Sequence, residues 1–129
     1  MSKADPKKLK VTKQISRKDI LLSIARKPNS SSIFVGSNDF KVYGLDPMDK
    51  KVAFTPMKGN HESYVTGVAL AKDTIISGSY DGKLIWWNAK TGKQLHKVGA
   101  HSRWIRRVRA TSDGKYVVSV ADDMVCRVW

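Results

Sequence analysis

The 129-residue sequence has a single cysteine and no long apolar run, and both shortages exclude classes of protein. Cys126 has no second cysteine with which to form an internal disulfide and no paired histidine nearby for a metal site, so we expect a small buried side chain there. A membrane-spanning helix needs about 18 to 20 consecutive apolar residues, and the Lys-rich N-terminus is not followed by the apolar stretch of a secretory signal. We therefore expect a soluble, unexported protein, cytoplasmic or alternatively nuclear.

Acidic residues are also scarce. Eleven Asp and Glu face 24 Lys and Arg, which gives a formal net charge of +13. The first 27 residues hold nine of the basic residues but only Asp5 and Asp19 on the acidic side. Such a run is typical of a solvated terminus, and the alternative is an arm that binds nucleic acid. A charge of this size attracts acidic partners, whether protein, phospholipid or nucleic acid.

Helical periodicity is weak throughout, whereas short runs of strand-forming residues recur between clusters of Gly, Asn, Asp, Ser and Pro. Turns such as Tyr80-Asp81-Gly82 contain residues that tolerate a positive φ or cap a turn with a side-chain oxygen. The pattern predicts an all-β domain with strands near 9–14, 20–25, 32–36, 40–45, 51–56, 65–70, 73–78, 83–88, 93–97, 105–110, 115–120 and 124–129.

The sequence repeats at a fixed interval. Asp39, Asp81 and Asp123 are separated by 42 residues each time, and Leu45, Trp87 or Trp129 follows six residues after each aspartate. The preceding loop repeats as well, because Gly59-Asn60-His61 and Gly99-Ala100-His101 lie 40 residues apart. A period of this length predicts one four-stranded unit per repeat.

These residues resemble the WD-repeat family, in which a Gly-His element, an Asp-containing turn and a strand ending in Trp-Asp form each unit. The resemblance extends from about residue 9 onward and implies a β-propeller whose blades are each pinned by a buried tetrad of His, Ser or Thr, Asp and Trp. Carried over by position, the resemblance assigns two tetrads: His61, Ser77, Asp81 and Trp87, and His101, Ser119, Asp123 and Trp129.

The tetrad residue types fit a structural role, because a buried carboxylate is costly unless donors such as an imidazole N–H satisfy it. A His-Ser-Asp set also invites a hydrolase interpretation, but a nucleophilic serine normally lies on an exposed elbow and not in mid-strand. His61 and His101 fall in different blades without a third ligand nearby, which disfavours a metal pair. We therefore predict no catalytic residue, no metal and no cofactor.

The first repeat departs from this pattern. Val35 replaces the tetrad serine, Leu45 replaces the tryptophan, and no histidine occurs near residues 16–21, so the resemblance assigns no tetrad to this repeat. The third repeat ends at Trp129, before an outer strand, and three blades are fewer than the four to eight of a closed propeller. We expect an incomplete ring that is closed by further blades of a longer chain or by further copies.

The corresponding organisation has a basic tail at 1–8, a closing strand at 9–14 and blades at about 15–57, 58–98 and 99–129. The resemblance places partner binding on the top face of the propeller, formed by the loops that precede each inner strand and the turns between the second and third strands. On that face we expect the partner-binding residues Asn38, Tyr64, Thr66, Tyr80, Trp104, Arg106 and Asp122, although Trp104 has the alternative of packing against the neighbouring blade.

Two functions follow from these features. The first is a non-enzymatic protein interaction scaffold, because Tyr, Trp and Arg dominate interface hot spots. The second is a module that binds nucleic acid or ribonucleoprotein through its basic residues. Arg103, Arg106, Arg107 and Arg109 lie beside Trp104 in sequence, but strand alternation prevents them from forming one continuous basic stripe.

Overall fold

The computed structural model describes residues 5–129, which form three antiparallel sheets that we call blades. Blade 1 contains β1 (Leu21–Arg26), β2 (Ile33–Ser37), β3 (Val42–Leu45) and β4 (Thr55–Pro56). Blade 2 contains β5 (Val65–Ala71), β6 (Thr74–Ser79), β7 (Lys83–Asn88) and β8 (Gln94–Gly99). Blade 3 contains β9 (Ile105–Ala110), β10 (Val117–Ala121) and β11 (Cys126–Val128). The prediction of an incomplete all-β propeller is confirmed.

The first strands of the blades, β1, β5 and β9, lie next to one another at the inner edge of the assembly. The Ser23 hydroxyl of blade 1 donates to the Val65 carbonyl of blade 2 at 3.1 Å. In the same way, the Thr66 hydroxyl of blade 2 donates to the Ile105 carbonyl of blade 3. Hydroxyl hydrogen bonds thus join each inner strand to the next.

The hydrophobic cores lie between the blades. One core joins Phe34, Val42 and Met57 of blade 1 to Val65, Val68, Ile75, Ile85 and Trp87 of blade 2, and the second joins Ala69, Ile76 and Leu84 of blade 2 to Ala100, Ile105, Val108 and Val117. Ile75 and Ile76 are both fully buried although successive strand residues point to opposite faces. Blade 2 is therefore covered on both sides, which explains why β6 is buried continuously from Ile75 to Ser79.

The face of blade 3 that points away from blade 2 is more exposed than its counterparts. Val120, Val128 and Cys126 are exposed there, whereas Leu84, which corresponds to Cys126 in blade 2, is completely buried. The expectation that Cys126 is buried is therefore wrong for this structure, because no further sheet covers its strand among residues 5–129.

Eleven of the predicted strands are present, although β4 is reduced to two residues. The predicted closing strand at 9–14 has no strand structure, and Lys13 donates to the carbonyls of Pro47 and Asp49, at 3.0 and 2.6 Å. This segment thus lies against the β3–β4 loop of blade 1, and its role in closing a ring stays a prediction. The predicted tail at 1–8 is described from residue 5, with one turn of 3-10 helix at Pro6–Lys8. No helix in the described part of the chain has the length and apolar character that a membrane crossing requires.

Gly78 provides a test of how closely the blades pack. A Cβ atom at this position would lie 2.7 Å from methyl carbons of both Ile105 and Val108 across the interface with blade 3. We expect Gly78→Ala to lower the free energy of unfolding by about 1 to 3 kcal/mol, which is typical of overpacking. Urea unfolding would measure this change in the free energy of unfolding. The matched control is Val120→Ala at the equivalent position of blade 3, where a change within about 0.5 kcal/mol is expected. Equal losses for the two variants would contradict the packing argument.

Candidate protein-interaction surface

The four predicted tetrad residues of blade 2 form one hydrogen-bonded chain. His61 Nδ1 lies 2.9 Å from Asp81 Oδ2, and His61 Nε2 lies 2.8 Å from Ser77 Oγ. The Trp87 indole N–H donates to the same Ser77 Oγ at 2.8 Å. With Nδ1–H donating to the carboxylate, Nε2 accepts from the Ser77 hydroxyl, so every polar atom of the chain has a partner.

The carboxylate of Asp81 ends this chain close to the surface, with 5% of its side chain exposed. It also accepts the backbone N–H groups of Glu62 at 2.9 Å and Lys83 at 2.8 Å. Burial raises the pKa of Asp81, but the hydrogen bonds from His61 and the two backbone N–H groups outweigh it and lower the pKa to about 2. Asp81 is therefore ionised at neutral pH and holds the loop before β5 against the β6–β7 turn.

Blade 3 repeats this arrangement at its own corner. His101 Nδ1 lies 2.9 Å from Asp123 Oδ2, His101 Nε2 lies 2.8 Å from Ser119 Oγ, and the Trp129 indole N–H donates to Ser119 at 2.9 Å. Burial raises the pKa of Asp123, and hydrogen bonds from His101 and the backbone lower it overall. The structure thus brings all eight tetrad residues together in their two predicted sets.

Blade 1 has a different network that the sequence reasoning missed. Arg17 lies four residues before β1, just as His61 and His101 lie four residues before β5 and β9. Its guanidinium donates two hydrogen bonds to Asp19, each at 2.9 Å, and stacks over the Tyr43 ring at 4.2 Å. Arg17 therefore occupies the histidine position with an ion pair and a cation–π contact.

The rest of the blade 1 network reaches its b–c turn, between β2 and β3. Ser37 donates to Asp19 at 2.6 Å, and the Tyr43 hydroxyl donates to Asp39. Asp39 also accepts the Lys41 backbone N–H at 3.2 Å, as Asp81 accepts that of Lys83. The equal spacing of the three aspartates thus corresponds to a turn that is repeated in all three blades, even where the histidine is absent.

An aromatic ladder crosses the top face from blade 1 to blade 3, and we use that name for Phe40, Tyr64, Tyr80 and Trp104. Successive ring centroids are 6.1, 5.8 and 4.4 Å apart, and the last pair is stacked with an interplanar angle of 9°. The exposed fractions are 37% for Phe40, 44% for Tyr64 and 50% for Trp104. Trp104 thus packs on the neighbouring blade and remains half exposed.

Arg106 and Asp122 fasten the blade 3 end of the ladder. The guanidinium donates two hydrogen bonds to the Asp122 carboxylate, both at 2.7 Å, and a third to the Tyr80 hydroxyl at 2.8 Å. It also lies over the rings of Tyr80 and Trp104, at 5.2 and 5.4 Å from their centroids. The hydrogen bond from Arg106 lowers the pKa of Asp122. This end of the ladder is consequently held in one arrangement before any partner arrives.

Two of the predicted partner-binding residues are placed differently. Thr66 is buried and donates its hydroxyl to Ile105, so its assignment to the binding surface is wrong for this structure. Asn38 is partly buried and accepts the Ile20 N–H at 2.9 Å, which joins two loops of the top face. The other five, Tyr64, Tyr80, Trp104, Arg106 and Asp122, lie together along the ladder.

Phe40 is the ladder residue that sequence reasoning missed. It has a φ of +75° and occupies the same turn position as Gly82, with a φ of +76°, and Met124, with a φ of +62°. A large side chain in the left-handed region is uncommon and indicates a constrained position. The signal available in the sequence was an aromatic residue directly after the repeated aspartate.

A cleft with a volume of about 490 Å³ opens beside Trp104 at the blade 3 end of the ladder. Its lining includes Tyr80, Ser102, Arg103, Trp104 and Asp122. Arg103 is exposed and forms no hydrogen bond or ion pair with any other residue in the described range 5–129. The cleft therefore combines an aromatic wall and the Arg103 guanidinium with the carboxylates of Asp81 and Asp122. Within the same range, no three His, Cys, Asp or Glu side chains are grouped as a metal ion requires.

Comparisons with known proteins agree with this architecture. The family model described as "WD domain, G-beta repeat" matches residues 53–88 and 92–129, each match running from an outer strand into the next blade. Crystallised RRP9 WD40 repeats superimpose with a TM-score of 0.80 at 17% identity, over 89% of this chain and 36% of that one.

Curated relatives are longer proteins. "Nuclear distribution protein PAC1" of Arthroderma benhamiae is 29% identical over 117 residues, which is 88% of this chain and 24% of that protein. "Telomerase protein component 1" of Mus musculus is 33% identical over 87 residues, 63% of this chain and 3% of that protein. This chain spans about a quarter of the nuclear distribution relatives. Because the family model matches more than half of its residues, the chain belongs to the WD-repeat family.

Proposed function

We propose that this chain is a non-enzymatic protein interaction scaffold that binds partners on its top face. The observation that carries the proposal is the aromatic ladder, a continuous row of rings that bridges all three blades and exposes Phe40, Tyr64 and Trp104. Tyr, Trp and Arg are the residue types that contribute most to binding at protein interfaces. A scaffold presents such residues on loops that a rigid framework positions, and the tetrads supply that framework.

The side chains of this surface are already ordered before a partner binds, which favours binding. Arg106 is already fixed by Asp122 and Tyr80, so little side-chain entropy is lost when a partner covers it. A non-enzymatic role is supported by the serines of the tetrads, since Ser77 and Ser119 are completely buried and each hydroxyl has two partners.

Ring closure and location belong to the same proposal. Ile24 of blade 1 and Val128 of blade 3 are exposed at opposite ends of the row of blades, at 62% and 64%. Apolar surface there fits a ring completed by further blades of a longer chain, with further copies of this chain as the alternative. The name of the PAC1 relatives refers to nuclear distribution, and we keep the cytoplasm as the proposed location with the nucleus as the alternative.

Affinity capture at physiological salt tests the scaffold proposal. The intact protein should recover its partners, and Trp104→Ala should reduce this recovery at least about tenfold, because truncating a hot-spot aromatic typically costs about 2 kcal/mol or more. Tyr116→Ala is the matched control, since Tyr116 is also half exposed in blade 3 but lies outside the ladder. Absence of any specific polypeptide partner, or equal recovery by the two variants, would refute the proposal.

Binding of nucleic acid is the second candidate function. It is favoured by exposed lysines in the loops opposite the top face, among them Lys50, Lys51, Lys90 and Lys93. If these lysines and those of the basic N-terminus contact phosphates, affinity for single-stranded RNA should fall steeply as salt rises, with a shallower slope after removal of residues 1–12. The deletion stops before Lys13 because that residue binds the β3–β4 loop. No binding at low salt would exclude this function.

A further inference from the structure

We propose that the aromatic ladder binds an extended polypeptide segment with apolar side chains at every second position and one carboxylate at its Trp104 end. The inference rests on the proposed scaffold function and specifies the partner of that same surface. It depends on the spacing of the rings, on charges that are already paired and on one cation that is free.

Ring spacing favours an extended chain. The first two steps of the ladder are 6.1 and 5.8 Å. In an extended peptide the rise is about 3.3 Å per residue, so alternate side chains on one face lie about 6.6 Å apart. Tyr80 and Trp104, whose centroids are 4.4 Å apart, act together as one wider contact. About five extended residues therefore cover the ladder, with their alternate side chains facing successive rings.

Charge pairing favours apolar side chains over a polyanion. Arg106 is bound to Asp122, and Glu62 beside Tyr64 accepts from Lys83 at 2.7 Å. A polyphosphate or an acidic stretch along the ladder would have to break these pairs, because Arg103 at the Trp104 end offers a single unpaired guanidinium. An apolar side chain buries the ring edges and leaves the existing pairs intact.

The stacking of the rings also disfavours nucleobases. A base gains most by lying flat on an exposed aromatic face. Tyr80 and Trp104 are nearly parallel at 9°, so each ring covers one face of the other, and Arg106 lies over both. At this end of the ladder one face of each ring is therefore already covered, whereas aliphatic and aromatic side chains of a peptide can also pack on the ring edges.

Arg103 gives the peptide a direction. It lines the cleft beside Trp104 and forms no salt bridge within residues 5–129, although its charge also acts on the Asp122 carboxylate across the cleft. Guanidinium binds carboxylate in a planar, two-point geometry. A peptide that follows the ladder therefore ends with its carboxylate at Arg103. That carboxylate belongs either to an Asp or Glu side chain or to the C-terminus of the partner.

Fluorescence anisotropy with short labelled peptides tests the inference on the intact protein. The reference peptide has Leu or Phe at alternate positions, Ser between them, one Glu at its last position and an amidated end. It should bind, and Tyr64→Ala and Trp104→Ala should each weaken binding about tenfold or more. Tyr116→Ala should leave binding unchanged, and thermal unfolding of each variant confirms that it is folded.

A double-mutant cycle between protein and peptide separates the role of Arg103 in binding from any effect on folding. Arg103→Ala should weaken the Glu-ending peptide about fivefold but leave a Gln-ending peptide unchanged, which is the coupling expected of a single ion pair near the surface. Arg103→Glu should instead favour a peptide with Lys at its last position, because the charges of the ion pair are then exchanged. Arg26→Ala, an exposed arginine outside the ladder, is the control. A version with Gln at the last position and a free C-terminus shows which carboxylate source is preferred.

Several results would overturn the inference. Equal binding of scrambled peptides that lack the alternation, stronger binding of an all-acidic peptide, or stronger binding of single-stranded RNA would each contradict it. Loss of partner capture on Trp104→Ala without binding of the reference peptide would refute the peptide class while leaving the scaffold function intact. If the reference peptide binds but Trp104→Ala and Tyr116→Ala behave alike, the ladder is not its site.

Discussion

Replacement of Asp81 by alanine is expected to lower the free energy of unfolding by about 3 kcal/mol. The change leaves His61 Nδ1–H and the backbone N–H groups of Glu62 and Lys83 without their acceptor. Each unsatisfied buried donor costs on the order of 1 kcal/mol or more. Urea unfolding followed by tryptophan fluorescence gives the loss directly. No function should change other than through stability, because the tetrad is assigned a structural role.

Asp73 provides the control for this prediction. Its side chain is 81% exposed and pairs with Lys27 at 3.1 Å on the surface, where an ion pair contributes little. Asp73→Ala should therefore change stability by no more than about 0.5 kcal/mol. A loss as large as that of Asp81→Ala would show that the stability lost with a carboxylate does not depend on its burial or on the number of donors that it accepts.

The same carboxylate produces a pH dependence whose sign follows from its pKa. The folded pKa of Asp81, about 2, lies below the unfolded value near 3.9. Its stabilising contribution is therefore complete above about pH 4 and is lost as the pH falls toward 2. Stability of the unmodified protein should decline more steeply over this interval than that of Asp81→Ala. Parallel declines would mean that other groups dominate the acid response.

The two tetrads were predictable because their geometry is encoded by spacing. A histidine four residues before an inner strand and an aspartate in the following b–c turn meet in blades 2 and 3 whenever the strands keep their register. Ser77 and Trp87 then lie diagonally across the paired strands on one face, because Trp87 is opposite Ile75, two residues from Ser77. The family resemblance assigned these residues, and the strand register explains why the same intervals place them together in both blades.

Blade 1 shows where prediction by residue type ends. Arg17 has the position of the histidines but not their chemistry, and no histidine occurs near residues 16–21 to indicate a corner there. A planar guanidinium meets the same needs through an ion pair with Asp19 and stacking on Tyr43. The sequence interval thus encodes where the corner residue lies. Which side chains it binds depends on contacts that form only in the folded chain.

Burial at the blade interfaces was the other feature that the sequence did not reveal. Thr66 alternates with core residues as a top-face residue would, but blade 3 supplies the carbonyl of Ile105 that takes its hydroxyl. Cys126 follows the opposite course, since it is apolar in character yet exposed on the outward face of blade 3. Both outcomes depend on what lies across the interface from a strand, and a strand's own alternation carries no information about that.

Replacement of Trp87 by alanine is expected to lower the free energy of unfolding by about 4 kcal/mol, the largest effect of a single change proposed for this chain. Trp87 is completely buried and is the largest side chain in the core between blades 1 and 2. Trp87→Phe keeps most of that volume and loses only the indole N–H that binds Ser77, so a cost of about 1 to 2 kcal/mol is expected. Trp104→Ala, at a half-exposed ring, should cost less than either.

The mechanism of this loss is also testable, because the core that contains Trp87 joins two blades. Hydrogen exchange in Trp87→Ala should show reduced protection in β2 and β3 of blade 1, although the substitution lies in β7 of blade 2. Blade 3 shares the other core, built on Ile76, Leu84 and Val108, and its strands should be less affected. Loss of protection confined to β7 would show that Trp87 stabilises its own sheet and not the contact between blades. Loss spread equally over β9 and β10 would show that the three blades unfold as one unit.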